Sequence, residues 1–477
     1  MTFARQSAVV IGTGPSGCAV VAALLERGVR PIVLESSFDG AHSKPESGSD
    51  SEHYVGFKTW KGSDAMYRSH PYSRIRYDAD LNTRAANYFG GFSRVWGATF
   101  DKYREFWRWP AGCIPMREDW EAVEALVPRS VTGVFAHESR TLALEPRLQS
   151  LLRPEALHSR YETRPSCLAV DTRISSPNAC QLSTSCLQGC PHESIWWSGS
   201  LFEEWERTGV VRILRGRLVH SVIEENDRVT VRVQDGVGQL KMVHADQVFL
   251  AGGALGTAAV LVSSNVVPSL TVRDSQTVFG GMLALRGARK STIRTHSLSH
   301  MWLRDRVAEN FLVQVYPPDR SHVKRLSARF PLAPNQALRQ LNNRLFPLIA
   351  YLDSDHSGSL RVSRVGDFIR VATIKTGDNS FLRQCIARLA AEVLKSGFVI
   401  PPHLSFFDLA TPGSGYHMGA SLPHGPATDP WGRPHGLSRI HVVDSSVLPH
   451  IEVGSITPTV MANAHRIART TPLMATP

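Results

Sequence analysis

The stretch AVVIGTGPSGCAVVAALLERGVRPIVLESS, residues 8–37, constrains the fold of this chain more than any other. It begins with β-branched apolar residues and turns through three glycines into an alanine- and leucine-rich helix that ends near Gly28. A second short strand, residues 31–34, is followed by Glu35. Strand, glycine turn, helix and strand in this order predict a βαβ unit with a nucleotide-binding turn.

Each residue type in this turn has a physical role in binding a dinucleotide. Gly12 permits the tight turn, Gly14 lets the backbone approach a pyrophosphate, and Gly17 lets helix and strand pack closely. The helix N-terminus attracts phosphates, and Glu35 is placed to accept hydrogen bonds from an adenosine ribose. A glycine-rich packing turn, the alternative, explains the glycines but not the acid. The predicted cofactor-binding residues of this unit are Gly12, Gly14, Pro15, Ser16, Gly17 and Glu35.

Size and composition indicate a globular protein with room for a buried cofactor. The 477 residues suggest two or three domains, and 42% hydrophobic with 20% charged residues is an ordinary globular composition. No apolar stretch has the length of a membrane-spanning helix, and the apolar residues 8–25 lack the cleavage site of a signal peptide. Seven scattered cysteines do not suggest a disulfide framework. We therefore expect a cytoplasmic protein.

A second glycine-rich segment, NYFGGFSRVWGATF at residues 87–100, bears on which cofactor is bound. Gly90 and Gly91 have no side chains, so their backbone could lie against a flat ring, with Ser93 and exposed amides supplying hydrogen bonds. A tight hairpin turn is the alternative. Trp96 is included with these three among the expected cofactor-binding residues.

Four segments together resemble the glucose–methanol–choline (GMC) family of FAD-dependent oxidoreductases. They are the N-terminal fingerprint with Glu35, GGFSRVWG, ADQVFLAGGALGTAAVL at residues 245–261, and HVVDSSVLPHIEVGSITPTVMANAHRIA at residues 441–468. The resemblance implies FAD and an α/β fold, α+β overall: a doubly wound Rossmann-like FAD-binding domain with an inserted sheet-and-helix substrate domain. We expect the FAD domain at 1–265 and 401–477, with about 101–191 covering the flavin. The substrate domain is expected at 266–400, where no family motif is recognised.

The same resemblance implies a reaction and its residues. The loop GSGYHMGASLP, residues 413–423, is similar to the catalytic-histidine loop of the family, which would place His417 beside the flavin N5. Oxidation of a CH–OH group sends hydride to the flavin and releases a hydroxyl proton, which a neutral imidazole can accept. A satisfied structural histidine is the alternative. Asp444 and the following helix, including Thr459, are expected near the cofactor.

The chain departs from the family at the second polar catalytic position. Where the family usually has histidine or asparagine just before PT, this chain has Thr457. A threonine hydroxyl can bond a substrate oxygen but cannot serve as a base at neutral pH. His450 could substitute, although a structural role is favoured for it. Because of Thr457, a second hypothesis also stands: a lyase or isomerase of the same fold in which FAD has only a structural role.

A third cluster, CQLSTSCLQGCPH, contains Cys180, Cys186, Cys190 and His192. Soft thiolates and a final Cys-Pro are typical of iron–sulfur sites, which would make the chain an electron-transfer subunit. The spacing matches neither common ferredoxin pattern, and one cysteine is missing. A loop of buried thiols without a metal is therefore the preferred interpretation.

Positive charge is concentrated in the presumed substrate domain. Residues 281–370 contain fifteen Lys plus Arg against six Asp plus Glu, a net of +9 out of +11 for the chain. This excess suits a small alcohol that is anionic or bound to an acidic carrier, and Lys324 and Arg325 are the residues we would reverse to test it. The alternative is an ordinary basic surface that is exposed to solvent. Peripheral contact with a membrane is disfavoured. Nucleic acid is not expected, because no recognition motif accompanies the charge.

Overall fold

The computed structural model describes most of the chain and leaves three longer stretches and some short ones undescribed. The described residues are 6–37, 70, 72–81, 83, 85–102, 106, 108–153, 160–183, 186, 190–286, 295–307, 309–318, 334–401 and 409–473. Among them, no helix is both long enough and apolar enough to cross a bilayer.

The N-terminal half of the described chain contains both strands and helices, and the later segments are rich in strands. The strands are β1 Gln6–Ile11, β2 Ile32–Leu34, β3 Ile75–Tyr77, β4 Ser130–Val131, β5 Tyr161–Pro165, β6 Cys167–Leu168, β7 Arg212–Leu214, β8 Leu218–Glu224, β9 Val229–Gln234, β10 Leu240–Leu250, β11 Ser269–Asp274, β12 Thr277–Ala284, β13 Met301–Asp305, β14 Phe311–Val315, β15 Leu345–Leu352, β16 Ser359–Val365, β17 Phe368–Lys375, β18 Phe398–Val399, β19 Met418–Gly419 and β20 Ile440–Val442. The α-helices are α1 Pro15–Glu26, α2 Arg117–Leu126, α3 Ser198–Arg207, α4 Gly253–Ser263, α5 Asn335–Asn342, α6 Asn379–Lys395 and α7 Thr457–Thr470.

The first sheet confirms the predicted doubly wound α/β fold. Its order is β7-β2-β1-β10-β9-β8, with β20 pairing the C-terminal half of β10. The strands around β1 are parallel, whereas β8 and β9 form an antiparallel hairpin that continues onto β10. Central positions such as Val9, Val33 and Phe249 are fully buried, which explains the continuous apolar runs of these strands.

The two ends of the chain meet in this domain. Helix α7 packs against α1, and β20 adds a strand from the tail to the sheet begun by β1. The buried carboxylate of Asp119 on α2 fixes the arrangement, because it accepts hydrogen bonds from His465 Nδ1 at 2.8 Å and from Arg469 Nε at 2.8 Å. The tail is therefore part of the nucleotide-binding unit rather than an appendage.

A second, six-stranded sheet stands opposite the nucleotide-binding turn. Its order is β18-β12-β15-β14-β13-β5, with antiparallel neighbours throughout. Helix α6 covers one face, where Leu382, Leu389 and Val393 pack on Phe346. The other face carries Tyr351 and its neighbours and is directed toward the interior of the molecule. One face of the sheet thus packs against α6 and stabilises the fold, and the other face is available to a ligand.

A five-stranded sheet of order β19-β11-β16-β17-β3 lies against α4 and connects the two regions. Strands β3 and β5 come from before residue 266, and β19 comes from after residue 400, yet all three pair with strands of the 266–400 segment. The domain limits given above stay a prediction, and these pairings show how closely the two expected domains are joined.

Candidate active site

A cavity of about 400 Å³ lies between the carboxyl ends of β1 and β10 and the inner face of the six-stranded sheet. Its lining joins the glycine turn, the segment after β10, the GGFSRVWG loop, the His417 loop and the start of α7. Carboxyl ends of parallel strands are where ligands bind in doubly wound sheets. The cavity is therefore the candidate active site.

The glycine turn has the geometry that a pyrophosphate requires. Gly12 has φ of +103°, and a Cβ there would lie 2.5 Å from Ala251 O. A Cβ at Gly17 would lie 2.2 Å from Gly12 O, so Gly17 serves the packing of helix on turn and does not line the cavity. A Cβ at Gly14 would meet nothing within 4 Å, which leaves an open cradle on the cavity side.

Two helices begin at the cavity without capping side chains. Gly14 precedes α1 and Gly252 precedes α4, and neither helix has an acidic residue in its first turn. Their first backbone N–H groups therefore keep their capacity to bind an anion, reinforced by the helix dipoles. Pro15 and Ser16 line the cavity at the first of these N-termini. The residues present fit the diphosphate of FAD.

Glu35 lies at the end of β2 with 3% of its surface exposed, and it lines the cavity. Its carboxylate accepts hydrogen bonds from the backbone N–H of Ser37 at 2.8 Å and of Thr13 at 3.2 Å, and from the Thr13 hydroxyl. These bonds hold the acid at the position where the ribose of a bound nucleotide is expected. The sequence did not single out Thr13, whose hydroxyl also accepts from Gly90 N–H at 2.9 Å.

The GGFSRVWG loop contributes unequally to the cavity. Gly91, Ser93 and Trp96 line it, whereas Gly90 does not. A Cβ on Gly90 would lie 2.7 Å from the Trp197 ring, so this glycine is required by packing. The Ser93 hydroxyl donates to Gly90 O at 2.6 Å and lies 3.1 Å from Ser198 Oγ, which ties the loop to the start of α3.

Asp444, at the end of β20, lines the cavity and is buried. It accepts hydrogen bonds from the Thr257 hydroxyl on α4 and from Ser446 N–H at 2.9 Å. Burial raises the pKa of Asp444, and these hydrogen bonds oppose that shift. Thr459 is buried within α7 and does not line the cavity, so its predicted contact with the cofactor has no direct counterpart here.

His417 lies on the loop before β19, and its remaining exposed surface opens into the cavity. Its ring stacks on Tyr351 with 5.2 Å between centroids and 16° between planes. Nδ1 is buried without a hydrogen-bond partner among the described residues. Burial lowers the pKa of His417 to about 4, so the imidazole is neutral at physiological pH.

The loop that carries His417 is fixed by the end of β11. Asp274 Oδ2 accepts a hydrogen bond from Gly413 N–H at 2.6 Å, and Ser275 N–H donates to His417 O at 2.9 Å. Asp274 is fully buried, and burial raises its pKa to about 7. The glycines of the loop let it pass close to Thr83 and Thr277, where a Cβ on Gly413 or Gly415 would crowd those side chains.

Thr457 begins α7 and lines the same cavity as His417. His450 does not line it. Burial, helped by nearby Arg108, lowers the pKa of His450 to about 4, as burial does for His417, so it is the position of His450 away from the cavity that favours a structural role. Of the polar candidates in the tail, Thr457 is therefore the one that a cavity ligand can meet.

The three cysteines of the third cluster surround a second, much smaller cavity together with the buried His296. His192 is exposed and does not line it. Burial raises the pKa of Cys180 to about 11, which keeps this thiol protonated. Within the ranges that the structure describes, no group of three or more His, Cys, Asp or Glu is arranged to hold a metal ion. The interpretation as a loop of buried thiols stays a prediction.

The basic excess of residues 281–370 is partly neutralised by carboxylates from elsewhere in the chain. Arg370 pairs with Asp78 at 2.8 Å, and Arg304 lies 3.4 Å from Glu162. Lys324 and Arg325, chosen above as test residues, lie outside the described residues. The described part of the segment shows no cationic side chain in the cavity lining.

No sequence motif indicated the cavity wall that the six-stranded sheet forms. Phe279, Gln314, Tyr316, Ile349 and Tyr351 line the cavity from β12, β14, β15 and the residue after β14. One signal was available: Gln314 stands among four apolar residues in FLVQV, and a polar side chain in a fully buried strand needs a partner. Its role could not be read without the neighbouring strands.

Comparisons with known proteins agree with this geometry. The GMC oxidoreductase family model, for the C-terminal part of these enzymes, matches residues 404–464, which include His417, Asp444 and Thr457. The solved structure of pyridoxine 4-oxidase from Mesorbium loti is similar over 98% of this chain and 99% of that chain, with a TM-score of 0.58 and 18% identity. A search of curated protein sequences found no significant match.

The matched C-terminal segment and the shared fold confirm the resemblance to the GMC oxidoreductases that was found in the sequence. The expectations of an FAD-dependent oxidoreductase that acts on alcohols, and of FAD as its cofactor, agree with these comparisons.

Proposed function

We propose that this enzyme oxidises the CH–OH group of a small alcohol to a carbonyl, with His417 accepting the hydroxyl proton. The observation that carries the proposal is a neutral, desolvated imidazole that opens into the cavity built around the nucleotide-binding turn. Bound FAD would supply the acceptor for the hydride that leaves the carbinol carbon.

The residues of the chain divide the remaining work. Gly12, Gly14 and Gly17 shape the turn that would hold the diphosphate, Glu35 would accept hydrogen bonds from the ribose, and Gly91 would let the backbone approach the flavin. Because Nδ1 of His417 is buried, Nε2 is the nitrogen that would take the proton from the substrate. The stacked ring of Tyr351 limits rotation of the imidazole and excludes water from it. The hydroxyl of Thr457 would hydrogen-bond the substrate oxygen without titrating.

The experiment is anaerobic stopped-flow bleaching of the bound flavin by a panel of alcohols. Pyridoxine belongs in the panel, because the similar solved structure is a pyridoxine 4-oxidase. His417→Ala should retain FAD and fold but lose about 10²-fold to 10⁴-fold in the rate of flavin reduction, the usual range for general acid–base catalysis.

The matched control is His450→Ala, which removes another histidine of similarly lowered pKa that does not line the cavity. Its flavin reduction rate should stay within a few-fold of the unmodified enzyme. Normal reduction in His417→Ala would make that histidine structural. Failure of every alcohol to bleach the flavin of the unmodified enzyme would favour the lyase or isomerase alternative.

A further inference from the structure

The inner face of the six-stranded sheet places one polar side chain in an otherwise apolar row. Phe279 on β12 pairs with Ile349 on β15, which in turn pairs with Gln314 on β14. All three line the cavity, and Tyr351 lies on the same wall, two residues further along β15. The wall therefore meets a ligand with two apolar side chains, an aromatic ring and one amide.

Hydrogen bonding fixes which end of the Gln314 amide faces the cavity. Gln314 is 2% exposed, and its Oε1 accepts from the Tyr316 hydroxyl at 2.8 Å and from the Tyr351 hydroxyl at 3.2 Å. Burial raises the pKa of both phenols, so they remain neutral hydroxyl donors. An amide oxygen has two lone pairs, and here both are used.

The amide nitrogen of Gln314 is left to the cavity. No described residue accepts a hydrogen bond from its Nε2, and this atom is not among the polar atoms closed off from the cavity. A bound molecule that fills the cavity displaces water from this NH₂, which is costly unless the molecule itself supplies an acceptor. In a complex, the hydrogen-bonding groups of the wall are thus all satisfied only when the ligand accepts a hydrogen bond.

The uncharged character of this wall further restricts the chemical class of ligand that it can bind. The residues around His417 on this side are Thr277, Phe279, Gln314, Tyr316, Ile349, Tyr351 and Thr457, all of them uncharged. An ionised substrate group placed here would lose its hydration without gaining a counter-charge from the described lining. A neutral acceptor such as a ring nitrogen or an ether oxygen carries no such penalty.

We infer that Gln314 is a specificity-determining residue, whose NH₂ donates to an uncharged acceptor on a flat, unsaturated alcohol. This inference rests on the proposed alcohol oxidation. The apolar side chains of Phe279 and Ile349 and the ring of Tyr351 contact the body of the substrate, while its carbinol group faces His417. Gln314 binds and orients the substrate and takes no part in proton transfer.

The test uses two probe alcohols of nearly equal shape at pH 8, 3-pyridinemethanol, with a ring nitrogen acceptor, and benzyl alcohol, without one. The ratio of their kred/Kd values for flavin reduction in the holoenzyme should favour the pyridine by about 10-fold to 100-fold, since one buried donor is satisfied only by the former. Gln314→Leu should bring this ratio to within about twofold of one, because no amide donor remains to distinguish the two probes.

Two further variants keep the test decisive. Tyr316→Phe removes one donor to Oε1 but leaves Tyr351 to orient the amide, so it should retain the preference for the pyridine. Gln314→Met replaces Gln314→Leu if the latter does not fold. An unchanged ratio in the Gln314 variants overturns the inference while leaving the proposed function intact, because His417-dependent bleaching persists.

Binding without turnover separates the inference from the proposed function. Pyridine and benzene, which cannot be oxidised as alcohols, are titrated against the flavin absorbance spectrum of the holoenzyme. Tighter binding of pyridine that is lost in Gln314→Leu supports the inference even if no alcohol bleaches the flavin. Equal binding of both, or a preference for 3-aminobenzyl alcohol over 3-pyridinemethanol, which would place the amide oxygen toward the cavity, overturns it.

Discussion

The two ends of the cavity are built in different ways. The nucleotide end consists mainly of backbone: the turn at Gly12 and Gly14 and the uncapped starts of α1 and α4. The opposite end consists of side chains, among them Gln314 and Tyr351, held on a sheet whose strands come from distant parts of the chain. A diphosphate needs N–H groups and close approach, whereas a variable alcohol needs a specific set of side chains. A site built from backbone groups can be recognised as a motif in a short stretch of sequence, whereas a wall of side chains from distant strands cannot.

The largest effect is expected where backbone contact is tightest. In Gly17→Ala the new Cβ would lie 2.2 Å from Gly12 O, so the turn cannot form beside α1 and we expect no soluble FAD-loaded protein. Gly14→Ala is the matched control, because its Cβ meets no protein atom within 4 Å. It should fold and lose only FAD affinity. Flavin content and circular dichroism measure the difference, and normal FAD content in Gly17→Ala would contradict this view of the turn.

Glu35→Gln tests the acidic side chain that is expected to meet the ribose. An amide nitrogen replaces one carboxylate oxygen, so an acceptor is lost either for Thr13 and Ser37 or for the ribose. The Kd for FAD should rise by about 10-fold to 100-fold, in line with loss of a hydrogen bond to a charged group. Titration of apoprotein with FAD measures it. Flavin reduction by alcohol at saturating FAD should stay normal, and unchanged FAD affinity would remove Glu35 from the site.

The pH dependence of flavin reduction sharpens the comparison at the substrate end. Only the neutral imidazole accepts a proton, and burial lowers the pKa of His417 to about 4. The reduction rate should therefore be nearly constant from pH 8 to pH 5 and fall about tenfold per pH unit below pH 4. A rapid pH jump on the holoenzyme measures the rate before unfolding intervenes. A midpoint near the ordinary histidine value of about 6.5 would contradict a desolvated His417.

Acid should also destabilise the fold, with a sign set by the same burial. His300, His424 and His441 each have a pKa lowered to about 4, so the unfolded chain binds more protons than the native state between about pH 6.5 and pH 4. Stability should fall as pH falls through this window. Asp101 and Asp274, with pKa values raised to about 7, act in the opposite direction and reduce the slope. Urea midpoints from pH 7 to pH 5 check the sign.

The smallest effect is expected at Thr457, where the chain departs from the usual pattern of the GMC family. Thr457→Val keeps the side-chain shape and removes the hydroxyl, so flavin reduction should slow by about fivefold to tenfold, the cost of one neutral hydrogen bond. Thr457→Ser should retain most of the rate. A loss as large as that of His417→Ala would instead give this hydroxyl an essential role.

Much of the nucleotide end was predictable, because it rests on residues close together in sequence. The βαβ unit and the FAD cofactor were both expected, and the fold and cofactor predictions are confirmed. Individual roles were less accessible: Gly90 packs on Trp197, and Ser93 ties its loop to α3. Those contacts join segments about a hundred residues apart, so no local sequence pattern predicts them.

Residues 266–400 showed no recognisable motif, although they provide much of the cavity wall. Strands β12, β14 and β15 read only as apolar runs, and which face meets the ligand depends on the sheet to which each strand is added. Tyr351, one of the two tyrosines that orient Gln314, becomes its partner only after β14 and β15 pair with Val313 opposite Ala350. Side chains that act through such pairing cannot be ranked from one sequence.

By itself the sequence determined the nucleotide-binding turn, because tight turns, uncapped helix starts and close backbone approach depend on residue type at fixed local spacing. It also indicated His417 through a glycine-bordered loop and a family resemblance. Only the tertiary structure decided that His417 is desolvated against Tyr351, that Asp274 anchors its loop, and that Gln314 turns its NH₂ to the cavity. Burial, pKa and amide orientation arise from atoms brought together by long-range packing, and these are properties of the folded chain.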